Sequence, residues 1–394
     1  MAKSIRSVLS PLLLISSMCG LRIIEFSAGH PKLWFSLLYI PLLWSVYCFL
    51  VIDKGISYIP EESADYIIYV SLNIFTVLLS ILLGIYHDKK FRNCLKKLAV
   101  VDDTLKKLGS KTDYEKLTRR TVWIILGWFV IVLLLNFCDY IRWYDMHDAL
   151  SSICATLILN YCSDINIIDD LIFASILGYL GLKFDQVNEH LYKLTTENIR
   201  GIKVWENPVL HSQQAKLSNV PSSKHITWIV IHLHLELQKL SHEINSIFEI
   251  QMTWKMVCYF GFIAEFHREL YTAIFVRNYV PNKRILFVII IILWLTWYIS
   301  RVILINYMCE KVSAKANTTG KVISKILYFS YDEEIRENIL QFLLQVTQAP
   351  LRFCGLRFFQ FGYKFLYRYS ESILTLAIIL IQADRFKHAL KNYS

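Results

Sequence analysis

The chain has 394 residues, 55% hydrophobic and 14% aromatic, with a mean hydropathy of +0.40 and a formal net charge of +10. A soluble chain of this length divides into two or three domains of lower apolar content, whereas here the apolar residues come in blocks of about twenty, the length that spans a bilayer core. Composition therefore excludes a soluble globular protein. The basic excess has no soluble module to shape it into a groove, so nucleic acid is not an expected partner.

The opening stretch, MAKSIRSVLSPLLLISSMCGLRI, has a basic start and a short apolar run, the outline of a signal peptide. Ser16, Ser17 and Gly20 are followed by Arg22 and Glu25 without a clear cleavage context, so a retained, partly buried amphipathic helix is expected instead. Apolar blocks then follow at 32–54, 65–87, 121–141, 166–186, 247–275, 285–308 and 353–383, seven in all. A shorter apolar run at 149–162 reads as an external helix leading into the fourth block.

Loop charges set the orientation. Residues 88–120 carry eleven Lys or Arg against five acids, residues 53–65 one Lys against four acids, and residues 139–170 six Asp and one Arg. Short basic loops stay in the cytoplasm, which puts the N-terminus inside and, with seven spans, the C-terminus outside. The later loops discriminate less, with six basic and five acidic residues over 309–352. A linker-like run, WENPVLHSQQAKLSNVPSSKH, interrupts the long cytoplasmic stretch 187–246 at Pro208 and Pro221, with helical extensions expected on both sides. The expected fold class is an all-α membrane protein.

Several constellations invite a chemical reading. His232 and Glu236 stand one helical turn apart, the spacing of metal ligands, but no second His–carboxylate set matches them. Surface histidines are the simpler account, and no metal or cofactor is expected. Glu265, His267, Arg268 and Glu269 lie in a membrane block, where ionisable groups face a cavity, pair with one another or mark a headgroup boundary. Tyr66, Tyr69 and Asn73 in the second span, Asn136 and Asp139 at the end of the third, Trp143 and Tyr144 just beyond, and Asp169 and Asp170 at the start of the fourth fall at similar depth. Singly such residues form an interfacial belt; together they would line an aromatic and polar pocket in the outer half of the bundle. Asn317 begins an Asn-Thr-Thr triplet on the expected cytoplasmic side, where it would stay unglycosylated. Nine cysteines are scattered without metal spacing, and Cys138, Cys154 and Cys162 are the ones close enough on one side to raise the question of a disulfide. No nucleotide loop, nucleophile elbow or zinc-protease motif marks an enzyme.

The final block carries Arg357, Lys364, Arg368 and Glu371, which a single lipid-facing helix tolerates poorly. Two helices are expected: a basic one over 353–366 and a second over 369–384 crossing the membrane. On that second helix Thr375, Ile378, Ile379 and Gln382 share a stripe. Several copies would place the stripe around a pore, with the isoleucines as a dewetting constriction and Gln382 as a neutral polar ring. The same residues would also suit an ordinary helix–helix contact.

TLAIILIQA, Thr375 to Ala383, resembles the C-terminal signature of insect gustatory receptors, Thr-Tyr, five hydrophobic residues, Gln-Phe. Thr375, the five apolar residues Ala377 to Ile381 and Gln382 match, while Leu376 and Ala383 replace the Tyr and Phe. FCGLRFFQF, Phe353 to Phe361, is similar to the family's approach to its last span, and HEINSIFEIQM, His242 to Met252, to its lead into the fifth. The resemblance implies a tastant-gated channel for monovalent and divalent cations, not an enzyme, built of four identical or different subunits in the plasma membrane. It implies one membrane domain over 1–394, comprising a ligand-binding bundle over 32–186, a cytoplasmic anchor and linker over 187–246, two spans over 247–308, and a loop and pore helix over 309–394. Pore residues would be Thr375, Ile378, Ile379 and Gln382. Ligand candidates are Tyr69, Asn73, Asn136, Asp139, Trp143, Asp169, Glu265 and His267, and the other expected partner is membrane lipid. A G-protein-coupled receptor is the first alternative, but the third span lacks Asp-Arg-Tyr and the seventh lacks Asn-Pro-x-x-Tyr. A membrane enzyme or transporter is the second, and it would need His232 and Glu236 at membrane depth.

Overall fold

The computed structural model describes residues 4–24, 33–58, 64–144, 148–205, 223–275, 284–329 and 333–393. Helix α1, Ile5–Met18, starts at Ser4, whose backbone N–H reaches Ser7 Oγ at 3.3 Å while Ser7 N–H meets Ser4 O at 2.9 Å. Its buried face, Ile5, Val8, Leu9 and Leu12, has helical spacing and packs on the bundle, as expected of a partly buried amphipathic helix.

Helix α2, Leu33–Leu50, continues through a π-helical turn at Val51–Gly55 to Tyr58. The long helices α3, Ala64–Lys107, α4, Tyr114–Tyr144, α5, Ala149–Trp205, α6, Ser223–Phe275, and α7, Arg284–Phe329, follow, then α8, Glu333–Gln348. Among the described residues, five segments are long and apolar enough to cross a membrane: Trp34–Tyr58, Asp65–Lys107, Tyr114–Tyr144, Ala149–Lys193 and Arg284–Lys325. Helix α6 and the last helix are not among them, because Lys255 and Glu265 in the one and Arg368 and Glu371 in the other, with their polar neighbours, break up the apolar runs.

The expected external helix at 149–162 is not separate. It is the start of α5, which runs unbroken for 57 residues, about 86 Å. No Pro or Gly interrupts the sequence before Gly178, so nothing ends the helix between the two parts. The run at 206–222, which holds most of the linker-like sequence, lies outside the described residues.

The expected split of the last span is also corrected. Residues 351–362 form no helix. Cys354–Gly355 (β1) pairs antiparallel with Phe359–Gln360 (β2) around a turn in which Leu356 and Arg357 both have positive φ, 47° and 62°, the type I′ geometry of tight hairpins. Gly362, at φ 148°, then releases the chain into α9, Tyr363–Tyr393, one continuous helix. At 31 residues α9 is about 46 Å long, so Lys364, Arg368 and Glu371, all exposed, need not lie at the centre of a bilayer about 30 Å thick.

Helix α6 lies against α3, α5, α7, α9 and β1, and α5 packs along α7. The core between them is lined by Phe173, Phe184, Phe248, Met252, Tyr298 and Ile305. A salt bridge also joins two of these helices, where Lys97 Nζ on α3 meets Glu243 Oε1 on α6 at 2.7 Å.

Candidate functional site

One face of α5 is an interior polar spine. Asn160, Ser163, Asn166 and Asp170 recur at three- and four-residue spacing, all buried, and between them they reach α3, α4, α6 and α7. Asn160 Nδ2 donates to Asp139 Oδ2 on α4 at 2.7 Å, and Trp294 Nε1 on α7 donates to the other oxygen at 3.2 Å. Asn136 Nδ2 donates to Asp164 Oδ2 at 2.7 Å. Ser163 Oγ lies 3.0 Å from Tyr298 Oη, which lies 2.7 Å from Tyr69 Oη. Aromatic rings close round this layer: Tyr66 against Trp143 at 6.0 Å, Phe262 against Tyr69 at 4.8 Å, and Trp294 against Tyr298 at 6.1 Å.

One turn deeper is a cluster of charges. Lys255 Nζ lies 2.7 Å from Asp170 Oδ1, Arg301 Nη2 lies 2.9 Å from Asp170 Oδ2, and Tyr259 Oη donates to that same oxygen at 3.0 Å. All three charged side chains are 0–1% exposed. The Arg301 guanidinium also lies over the Tyr259 ring, 4.6 Å from its centroid. Three buried atoms of this region, Arg301 Nη1, Asp164 Oδ1 and Asn166 Oδ1, have no hydrogen-bond partner among the described residues. Together they offer one donor and two acceptors to a small polar molecule or water.

The structure brings Tyr69, Asn73, Asn136, Asp139 and Trp143 into this layered site. Asn166 Nδ2 reaches Asn73 Oδ1 at 3.4 Å. Asp169 lies apart: it turns from the spine, accepts from Gln251 Nε2 at 2.7 Å, and faces Arg22 at 3.7 Å. Residues 160–166 of α5 make the polar layer with α3, α4 and α7, and Asp169 lies beyond them along the helix. Glu265 is tied up with Arg268, which also reaches Asp65 at 3.0 Å, and His267 Nδ1 contacts Ile263 O at 2.7 Å.

Sequence reasoning missed Lys255, Tyr259, Tyr298 and Arg301 as site residues. For Lys255 and Arg301 the signal was available, since each is a charge inside an apolar run. All nine cysteines are free. Cys154 and Cys162 stand eight residues apart on one helix, about 12 Å, too far for a bridge. His232 is exposed on α6, and among the described residues no three His, Cys, Asp or Glu gather to hold a metal ion.

On α9, Ile373 and Ala377 are buried at 6% and 4%, facing the bundle. Thr375 and Gln382 are exposed, with Ile378 and Ile379 at 55% and 54% exposure. The four residues of the predicted stripe thus share the face that the single chain leaves uncovered.

Long apolar helices around a polar, aromatic interior define a helical membrane protein. The family description for the 7tm chemosensory receptors matches residues 9–385, and the chain belongs to that family. Gustatory receptor 28a of Drosophila melanogaster is 23% identical over 338 residues, covering 79% of this chain and 74% of the relative. The fold is similar to that of the insect olfactory receptor OR5 from Machilis hrabei, with a TM-score of 0.63 at 13% identity over 96% of this chain and 98% of that one. The same receptor in complex with eugenol gives a TM-score of 0.58 at 14% identity, over the same shares of the two chains.

Proposed function

We propose that the chain is a gustatory-type receptor: a small-molecule-gated, non-selective cation channel of four subunits in the plasma membrane of chemosensory neurons. It has seven spans, a cytoplasmic N-terminus and an extracellular C-terminus. The observation that carries this reading is the two-faced last helix. Its Ile373 and Ala377 face packs inward, while Thr375, Ile378, Ile379 and Gln382 stay open on the opposite side. Four copies around an axis would bring these open faces together, with isoleucine rings forming a dewetting gate and Gln382 a polar ring that selects weakly among cations.

The ligand site is the layer formed by Tyr69, Asn73, Asn136, Asp139, Trp143, Asp164 and Tyr298. Buried polar atoms without partners and surrounding aromatic rings support it, since small-molecule sites combine apolar walls with a few placed polar groups. The binding of eugenol by the structurally similar OR5 receptor supports the same class of ligand. Opening requires the ligand to bind the open arrangement more tightly than the closed one. One route for that preference runs through α6: Lys255 belongs to the charge cluster, and the adjacent Met256 O accepts from Tyr369 Oη of α9 at 2.7 Å.

The test has two stages. An epitope placed after Ser394 should stain in intact cells, and the purified chain in a bilayer without other proteins should carry a ligand-dependent current. Gln382→Ala should change conductance or ion preference while leaving surface delivery intact. An epitope reached only after permeabilisation overturns the orientation, and a wild-type bilayer silent to a ligand shown to bind overturns the self-sufficient channel.

A further inference from the structure

We infer that the cytoplasmic foot of α4 is a binding site for the phosphorylated headgroup of an anionic phospholipid. Between residues 106 and 120 the chain carries Lys106, Lys107, Lys111, Lys116, Arg119 and Arg120 against Asp113 and Glu115, a net charge of +4. All six basic side chains are exposed, and none forms an ion pair with another described residue. Asp113 is engaged with the backbone, accepting from Lys116 N–H at 2.9 Å. The last two cations stand immediately before the apolar run of α4, in which Trp123 is 68% exposed. Exposed Trp at the end of an apolar run marks headgroup depth, and Lys/Arg clusters immediately cytoplasmic of a membrane helix attract anionic lipid.

What distinguishes this segment from an ordinary solvated loop is that a buried network fixes it. Helix α3 ends in a Schellman turn, with Ser110 N–H donating to Leu105 O and Gly109 N–H to Lys106 O, both at 3.0 Å. Gly109 takes the left-handed conformation that this turn requires, at φ 95°. Lys183 on α5, its side chain 0% exposed, then pairs with Asp102 on α3 and donates to Thr112 Oγ1 of the loop at 2.7 Å. Thr112 Oγ1 donates in turn to Asp102 Oδ1 at 3.1 Å, and Ser110 Oγ lies 2.7 Å from His190 Nε2. A buried lysine is costly to desolvate, and here its partners include the loop that carries the surface cations. The backbone that carries the cations is therefore held in place before any ligand arrives, which lowers the ordering cost of binding.

The preferred occupant is a lipid rather than a soluble anion or an acidic protein segment, because the cations run along the membrane boundary and continue into a lipid-facing helix. The inference rests on the proposed orientation, since anionic lipid is concentrated in the cytoplasmic leaflet, but not on channel activity.

The experiment measures binding to the purified full-length chain in neutral detergent. The probes are fluorescent phosphatidylinositol bisphosphate, phosphatidylserine and phosphatidylcholine, with inositol trisphosphate and polyglutamate as soluble competitors. The expected order is the phosphoinositide tightest and phosphatidylcholine weakest. Lys116→Gln/Arg119→Gln/Arg120→Gln should weaken phosphoinositide binding about a hundredfold. Arg119→Lys/Arg120→Lys should retain it, and the control Lys89→Gln/Lys96→Gln should leave it within about twofold. Equal binding of phosphatidylcholine, or an unchanged triple variant with native elution and melting behaviour, overturns the site. Inositol trisphosphate competing as tightly as the lipid assigns it to a soluble anion, and polyglutamate doing so assigns it to an acidic protein; either overturns the lipid reading. Epitope staining tests the orientation separately, so its failure and this one are distinguishable.

Discussion

Lys255 and Arg301 share Asp170: Nζ of the lysine takes one carboxylate oxygen at 2.7 Å and Nη2 of the arginine takes the other at 2.9 Å, with all three side chains sealed from solvent. The arrangement joins α5, α6 and α7 at one point. Its charges are unequal in their dependence on one another, because Asp170 is the common partner of both cations. Asp170→Leu leaves two buried cations without their counter-ion and should cost at least the roughly 3–5 kcal/mol of a broken buried pair. Arg301→Met leaves Lys255 and Asp170 paired and should cost less. Replacing all three by Leu, Met and Met should recover much of the loss, since apolar replacement of a buried ion cluster is often neutral or better. Thermal unfolding of the detergent-purified variants gives the order, and a mildest loss at Asp170→Leu would refute this account of the cluster.

The hydroxyl chain above the cluster makes a second expectation. Tyr298 Oη contacts both Ser163 Oγ and Tyr69 Oη. Tyr298→Phe keeps the ring and its contacts with Phe262, Phe266 and Trp294 but strips both hydroxyls of a shared partner. Folding should weaken by about 1–3 kcal/mol, and half-maximal ligand response should move while maximal current persists. A change in expression with an unaltered concentration–response curve would assign Tyr298 to structure alone.

In the proposed channel, the two faces of helix α9 separate folding from conduction. Ala377 is 4% exposed and packed inward, so Ala377→Leu should overpack that contact and lower stability by about 1–3 kcal/mol. Ile378 is 55% exposed in the single chain, so Ile378→Ala should leave the fold of the subunit nearly unchanged. In the proposed assembly it should instead widen the constriction and raise unliganded current. Melting curves and bilayer recordings on the same two proteins separate these outcomes. Equal melting losses at the two positions would mean that the helix buries both faces within one subunit.

Much of the helical architecture was legible in the sequence because the apolar blocks are long and the loops between them polar. Periodicity could not fix where helices join. Nothing in residues 149–165 signals a helix end, yet the shorter apolar run reads as a separate element, and Asp169 reads as a partner of the polar layer when it turns instead to Gln251 and Arg22. The last span misled for the opposite reason: its charges suggested a break between two helices, while the break that exists is a hairpin made by positive φ at Leu356 and Arg357, two residue types that rarely announce such a turn. At the site, Asn136, Asp139 and Tyr69 stood out as polar groups in apolar surroundings. Tyr298 and Tyr259 did not, since their role depends on partners from α3 and α5, far away in the sequence.

His234 gives the clearest pH dependence outside the membrane-spanning helices. It lies in the first part of α6, before the span expected from residue 247, between the rings of Phe184 and Phe342, at 5.4 and 5.3 Å, and is 1% exposed. Burial pushes its imidazole down to about 4 from the usual 6.5. Between those values the unfolded chain binds the proton and the native one does not, so stability is present above the unfolded pKa and is lost as pH falls toward 4. At pH 5 the native state should be about 2 kcal/mol less stable than at neutral pH through this group alone. His234→Phe keeps an aromatic ring between Phe184 and Phe342 and removes the titrating group, so its melting temperature should fall less between pH 7 and pH 5 than that of the wild type. Parallel pH slopes for the two proteins would show that His234 is accommodated in its charged form, and that the aromatic cage opens at little cost.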